Sequence, residues 1–303
     1  MARSTAAAPL TAPRAATVLE FAKPITWFPP MWAFGCGVIS AGSDLAARWP
    51  LAIGGIILAG PLMCAASQMI NDWYDRDVDA INEPGRPIPS GRIPGQWGLW
   101  LAIAWSIAAM AWAAALGPWV FAAACFGMAL AWAYSAPPLR LKRSGWLGPA
   151  ATGLSYEGVT WFAGAALMLG ALPDMRIMAA ALLYSIGAHG IMVLNDFKAI
   201  DGDRATGLQS LPVQLGPERA AQVACATMLA PQIVVVALLL LWGQSLHAAG
   251  VAVFTIVQAF LMARLMTDPR RLAPWFNGTG VLLYVLGMLI TAFALGQLNG
   301  AQT

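Results

Sequence analysis

Read for polarity, the chain alternates between long apolar runs and short charged stretches. Asp, Glu, Lys and Arg are absent from residues 24–43, 49–71, 93–139, 177–195, 220–263 and 272–303, and 144–173 is interrupted only by Glu157. A bilayer core about 30 Å thick is crossed by roughly 20 apolar residues of α-helix, so each run predicts a membrane-spanning helix. The runs 93–139 and 220–263 are long enough for two, with Gly117-Pro118 and Gly243-Gln244-Ser245 as the tight outer turns that divide them. The expected fold is an all-α integral membrane bundle of nine transmembrane helices.

The basic residues set the orientation. With the N-terminus in the cytoplasm, all but Arg48 and Arg176 of the 17 Lys and Arg residues fall on the cytoplasmic side, as the positive-inside rule requires. That bias supports an odd number of spans independently of run length. Residues 1–22 are rich in Ala, with Arg and Pro but no compact apolar core. They read as a cytoplasmic tail, helical in part from Thr17 to Lys23, rather than as a cleavable signal peptide. Residues 23–303 then form a single membrane domain.

Composition agrees with this picture. The chain is 59% hydrophobic and 10% charged, against about 25% charge in soluble domains, which excludes a soluble enzyme, a disordered chain and a secreted disulfide scaffold. A net charge of +3 gives no support to a nucleic-acid partner. Cys36, Cys64, Cys125 and Cys225 lie far apart inside apolar runs and read as small core hydrophobes rather than metal ligands.

The acids are distributed differently. Asp72, Asp75, Asp77, Asp79 and Glu83 form one cluster and Asp196, Asp201 and Asp203 another, at the cytoplasmic ends of the second and sixth expected helices. Each cluster opens with Asn-Asp, and each is followed by a Pro-containing loop, RPIPSG at 86–91 and LPVQLG at 211–216. This is a weak internal repeat, two half-bundles presenting acidic ends to a shared space. On a continuous helix Asn71, Asp75 and Asp79 lie within about 80° of one another, while Asp77 points roughly the other way. In the second cluster Asn195 and Asp203 are again eight apart, with Asp196 beside them. Stacked carboxylates repel unless a cation sits among them, and hard oxygen donors in this number suit Mg²⁺ with a phosphate-bearing substrate. Arg86, Arg140, Lys142, Arg143, Lys198 and Arg204 are near enough in sequence to complete a diphosphate site. The competing explanation is a set of ordinary solvated loop charges.

Two stretches, NDWYDRDVDAINEPGRPIPSGRIPG (71–95) and YSAPPLRLKRSGWLGP (134–149), resemble the intramembrane prenyltransferases of the UbiA type. Further segments are similar to the chlorophyll and bacteriochlorophyll synthases, the latter more closely: KPITWFPPMWAFGCG (23–37), SYEGVTWFAGA (155–165), AHGIMVLNDFKAIDGDR (188–204), GLQSLPVQLG (207–216) and WFNGTGVLLYVLGM (275–288). The resemblance runs from about residue 20 to residue 295. It implies nine helices, two Asp-rich motifs that use Mg²⁺, and a site facing the cytoplasm. The family's NxxxDxxxD motif is complete as Asn71, Asp75 and Asp79, with Asp72 inside it. The second motif departs from DxxxD, because position 199 is Ala and Asp203 is left flanked by Asp196 and Asp201. Arg140 and Lys142 match the family's YSxPPxRLK loop, implying diphosphate contact together with Arg86, Lys198 and Arg204. The loop from Ile81 to Ile93 is expected to cover the site, and Asp75, Asp79, Asp203 and Lys142 to carry the chemistry.

The implied reaction esterifies the propionate of bacteriochlorophyllide a with a geranylgeranyl or phytyl group from its diphosphate, in a bacterial inner or intracytoplasmic photosynthetic membrane. Chlorophyllide a, or a quinone or haem acceptor, is the alternative within the superfamily. A cation transporter is the alternative from another class, disfavoured because the acids gather at one face. Glu157, His189 and Tyr134 are the candidate acceptor contacts. A carboxylate at mid-bilayer costs about 2.5–3.5 kcal/mol on insertion scales, which makes function the default for Glu157; a helix-end Glu in a structural hydrogen bond is the other reading. For His189, a ligand to the acceptor's central Mg²⁺ competes with a satisfied interhelical histidine. His247 falls in an outer turn, and the Trp27–Trp32 segment reads mainly as an interfacial anchor.

Overall fold

The structure, a computed structural model, describes residues 12–300. A short helix α1 (Ala15–Phe21) and a 3₁₀ turn (Pro24–Thr26) lead into α2 (Phe28–Ser40). Helix α3 runs unbroken from Leu45 to Asn82, with its middle turn, Leu58–Cys64, widened to π geometry. Asp44 caps α3, accepting from the Ala46 and Ala47 amides at 2.9 and 3.3 Å. Helices α4 (Trp97–Leu116) and α5 (Pro118–Ser135) meet at Gly117, whose φ of 123° only glycine adopts freely. Helix α6 occupies 147–169, as Leu147–Gly153 and Thr160–Leu169 joined by a π turn, Leu154–Val159. Helix α7 (Met175–Asn195) passes through a 3₁₀ turn (Asp196–Ala199) into the short helices α8 (Ile200–Thr206) and α9 (Leu211–Leu215). Helices α10 (Pro217–Leu241), α11 (Ser245–Leu265) and α12 (Pro269–Gly300) complete the chain, and Gly243 makes the turn between α10 and α11. No strand forms among the described residues; one isolated bridge ties Ser144 to Gln209.

Seven of these helices are long and apolar enough to cross a membrane: α3, α4, α5, α7 with its extension to Ala205, α10, α11 and α12. The chain is therefore a multi-pass membrane protein. The two further spans read from the sequence, 24–43 and 144–173, correspond to α2 and α6. Helix α2 has 13 residues, about 20 Å at 1.5 Å per residue, because the preceding residues are used in the 3₁₀ turn. Helix α6 is long, but Glu157 and its Gly, Ser, Thr and Tyr neighbours dilute its hydropathy.

Those two helices are the seam of the molecule. Ala33 and Cys36 of α2 and Trp161 and Ala165 of α6 belong to a core shared with α7, α10, α11 and α12. Phe34 and Val38, with Ala163 and Leu167, belong to a second core with α3, α4 and α5. Small residues let the seam close: a Cβ at Gly37 would stand 2.1 Å from the Trp161 carbonyl oxygen, and one at Gly164 would stand 2.2 Å from that of Phe34. Close backbone approach of this kind is how helices associate where lipid removes the hydrophobic driving force. Trp161 also donates to Ser40 Oγ at 3.0 Å and stacks on Tyr184.

Candidate active site

Because α3 stays regular through Asn82, the face expected from its sequence forms. Asp72 and Asp79 are buried and Asp75 is half-buried, whereas the Asp77 side chain is 89% exposed and turned toward Arg76. Each inward carboxylate meets cations from elsewhere in the chain. Asp72 Oδ1 accepts from Lys23 Nζ at 2.6 Å and from Arg86 Nη1 at 3.4 Å, and Arg86 Nη1 also donates to Asp79 Oδ2 at 2.8 Å. Asp75 Oδ1 accepts from Lys142 Nζ at 2.5 Å and Arg140 Nη2 at 3.4 Å. Asn71 donates to Ser135 Oγ at 3.4 Å.

The loop after α3 is what delivers Arg86. Glu83 grips its guanidinium through both oxygens, at 2.6 and 2.7 Å. Arg92 of the same loop pairs with Glu20 of α1 and donates to the Gly85 carbonyl at 2.7 Å. Burial opposes the charge on Arg86, but the Glu83 hydrogen bond and the Asp72 charge outweigh it and raise its pKa. Lys142 sits in the 3₁₀ turn Leu141–Arg143 with its side chain 9% exposed. Burial holds its pKa below the ordinary lysine value although Asp75 pulls the other way. Lys23 and Arg140, at φ 49° and 41°, are the non-glycine residues with left-handed backbone among those described. Such backbone is uncommon outside glycine and clusters at functional sites; here both instances carry cations to the acidic face.

The second cluster is built differently. Helix α7 gives way at Asp196–Ala199 to a 3₁₀ turn, so the register from Asn195 to Asp203 is not that of one continuous α-helix. Asn195 Oδ1 accepts from Asn277 of α12 at 2.8 Å. Asp201 is exposed and pairs with Arg270 at 2.5 Å, Asp196 and Asp203 are half-buried, and Lys198 and Arg204 are exposed.

Between the clusters lies a cavity of about 450 Å³. Asn71, Asn195 and Tyr134 line its polar end, so the opening residues of both motifs face one space. Its walls are mostly apolar, and both π turns border it: Leu58, Ala59, Met63 and Cys64 from one, Ser155, Tyr156, Glu157 and Val159 from the other. π turns occur frequently at functional sites. Tyr156 accepts from Gln68 Nε2 at 3.0 Å. Glu157 is buried in the wall. His189 is not part of the lining; it is buried with its ring stacked on Trp146 at 5.8 Å.

The donor chemistry of the α3 face fits a hard divalent cation. Carboxylate and amide oxygens share one side, and Asp72 Oδ2 is buried with no hydrogen-bond partner. Among the described residues no three His, Cys, Asp or Glu side chains form a ready ligand set, because Lys23, Arg86 and Lys142 stand between the carboxylates. Lys23 was read from the sequence only as an orientation charge. Asn277 lay within a resembling segment with no role of its own. Neither belongs to an Asp-rich motif, so spacing could not find them.

An acidic helix face held by cations above an apolar cavity suits an anion with an apolar tail, and similarity decides the family. Residues 27–285 match the UbiA prenyltransferase family. The chain belongs to the UbiA prenyltransferase family. Over 291 residues it is 53% identical to the bacteriochlorophyll synthase 33 kDa chain of Cereibacter sphaeroides, covering 96% of each chain. It is 43% identical to the 34 kDa chain of Chloroflexus aurantiacus, covering 91% of this chain and 89% of the relative. Against the chloroplastic chlorophyll synthase of Oryza sativa the figure is 39%, over 91% and 76%. The fold also matches a UbiA homolog from Archaeoglobus fulgidus solved with GPP and Mg²⁺, at a TM-score of 0.71 and 22% identity, covering 90% of this chain and 99% of that one. Membership in the family makes the protein a membrane prenyltransferase.

Proposed function

We propose that this UbiA prenyltransferase transfers a C20 prenyl group, geranylgeranyl or phytyl, from its diphosphate to the propionate carboxylate of bacteriochlorophyllide a. The observation that carries the reading is the inward face of α3, where Asp72, Asp75 and Asp79 share Lys23, Arg86, Arg140 and Lys142 at the polar end of an apolar cavity. Relatives named bacteriochlorophyll synthase at 53% and 52% identity support the acceptor.

In this reading Asn71, Asp72, Asp75 and Asp79 would hold Mg²⁺ from one side and Asp196 and Asp203 from the other, with Asp201 joining them only on release from Arg270. Bound Mg²⁺ neutralises charge on the departing diphosphate. Lys142 and Arg140, already aimed at the α3 face, bind diphosphate oxygens, with Arg86, Lys198 and Arg204 closing over them. The allylic C–O bond breaks, and its electron pair leaves with the diphosphate. The apolar walls shield the resulting carbocation-like carbon from water, and the propionate oxygen forms the new bond to it. A carboxylate is ionised at pH 7, so no general base is needed. Glu157 and Tyr134, both in the cavity lining, would contact the acceptor, whereas His189, stacked on Trp146 outside that lining, would act only indirectly. Helices α2 and α6 complete nine spans, with residues 1–22 as a cytoplasmic tail, residues 23–303 as one domain, and the site at the cytoplasmic face of a bacterial inner membrane.

The test is an assay of purified protein with Mg²⁺, both pigments and both diphosphates, with the esters resolved by chromatography. Esterification of bacteriochlorophyllide a ahead of chlorophyllide a is expected. Equal turnover would move the reading to the wider chlorophyll synthase group, and no ester from either pigment would remove it.

A further inference from the structure

One polar group in the cavity plays no part in diphosphate chemistry. Glu157 is 6% exposed, it lines the cavity, and its Oε2 is buried with no hydrogen-bond partner. No ion pair among the described residues includes it. Its depth can be read from the neighbouring helix. A Cβ on Gly158 would stand 2.3 Å from Ser185 Oγ, and Ser185 lies ten residues before Asn195 on α7, about 15 Å along the axis. Glu157 is therefore far below the polar end where both Asn-Asp motifs open.

A carboxyl buried without a cation is held as the neutral acid, which offers one O–H donor. A buried polar atom left without a partner is destabilising, and such groups in native proteins call for an explanation. The site therefore lacks a hydrogen-bond acceptor that a ligand can bring. Beyond its diphosphate the prenyl donor is hydrocarbon and has none. Bacteriochlorophyllide a has carbonyl oxygens on its rim besides the propionate that reacts. We propose that Glu157 donates a hydrogen bond to a rim carbonyl of the macrocycle, namely the acetyl group that bacteriochlorophyllide a carries where chlorophyllide a has a vinyl group. Glu157 is then a specificity-determining residue, and the macrocycle's edge, not the prenyl chain alone, enters the cavity. This rests on the tetrapyrrole acceptor proposed above.

The experiment compares kcat/KM for the two pigments, with geranylgeranyl diphosphate and Mg²⁺, in the wild type, Glu157→Gln and Glu157→Leu. One hydrogen bond gives the wild type a preference of about tenfold for the acetyl-bearing pigment. Glu157→Leu brings the ratio close to one by lowering turnover of that pigment alone, and Glu157→Gln, which keeps an N–H donor, retains most of the preference. An unchanged ratio, or equal loss on both pigments, overturns the proposal and leaves Glu157 as a structural or water-bound group. Absence of wild-type ester with either pigment rejects the acceptor reading instead. If Glu157→Leu does not fold, the acetyl C=O stretch of bound pigment decides between the wild type and Glu157→Gln. It differs between them if Glu157 is the donor and is identical if it is not.

Discussion

The two Asn-Asp clusters start alike and end in different structures. After Asn71 the helix continues for three regular turns, and every inward carboxylate finds a cation. After Asn195 the chain tightens into a 3₁₀ turn and restarts as a seven-residue helix. Apolar residues lie between these acids. Phe197 and Ile200 are buried in the core with α10 and α12. Ile200 opens the helix that follows, and at three residues from Phe197 it shares a face with it. Asp201, beyond them, pairs with Arg270 at the surface. The first cluster keeps its α-helical period. Equal spacing gives equal geometry only where the helix continues, and the proposed chemistry accordingly centres on the α3 face.

The largest effect that can break this comparison comes from α3. Asp75→Ala and Asp79→Ala should each lower prenyl transfer by roughly a hundredfold or more, with expression intact, while Asp77→Ala stays near wild type. Equal loss in all three would show that the inward face is misassigned. Lys142→Met should lose nearly as much, since a charge-assisted bond to the diphosphate goes with it, and Lys142→Arg should recover part of it; steady-state kinetics of the three proteins would check this. The second cluster should respond more mildly. Asp203→Asn is expected to raise the Mg²⁺ concentration for half-maximal rate by roughly tenfold, with the limiting rate little changed, and a collapse of that rate would put the clusters on an equal footing.

The smallest effect concerns the strap above α3. Glu20 and Arg92 are both well exposed, and surface pairs contribute at most about 1 kcal/mol, so Arg92→Leu should raise KM for the prenyl diphosphate by roughly threefold. The hydrogen bond to Arg92 holds the Glu20 pKa below the usual glutamate value. The pair is then complete at neutral pH and is lost only as pH falls through that lowered value, so the variant's defect should persist into mildly acidic buffer. It should fade at high salt, where screening acts over about 3 Å. A defect insensitive to salt would mean that Arg92 acts otherwise.

Much of this was legible in the chain. Charge-free runs located the long helices, and Gly117 and Gly243 marked the hairpins, because turns without side chains leave a plain signal. The α3 face followed from a period of 3.6 over residues that do form a helix. The 3₁₀ turn at Asp196 was hidden, since nothing in the spacing of the acids distinguishes it from a continuous α-helix. The π turns bordering the cavity carry no local signature. Lys23 reaches Asp72 across 49 positions, a contact that only the folded chain reveals.

The central claim is that the inward face of α3 holds metal and diphosphate together, and direct binding tests it. Purified protein stripped with EDTA and titrated with Mg²⁺ should bind geranylgeranyl diphosphate only as the metal is restored, and Asp75→Asn should fail to bind at any Mg²⁺ concentration that saturates the wild type. Binding without metal, or an Asp75→Asn protein that titrates like the wild type, would contradict it.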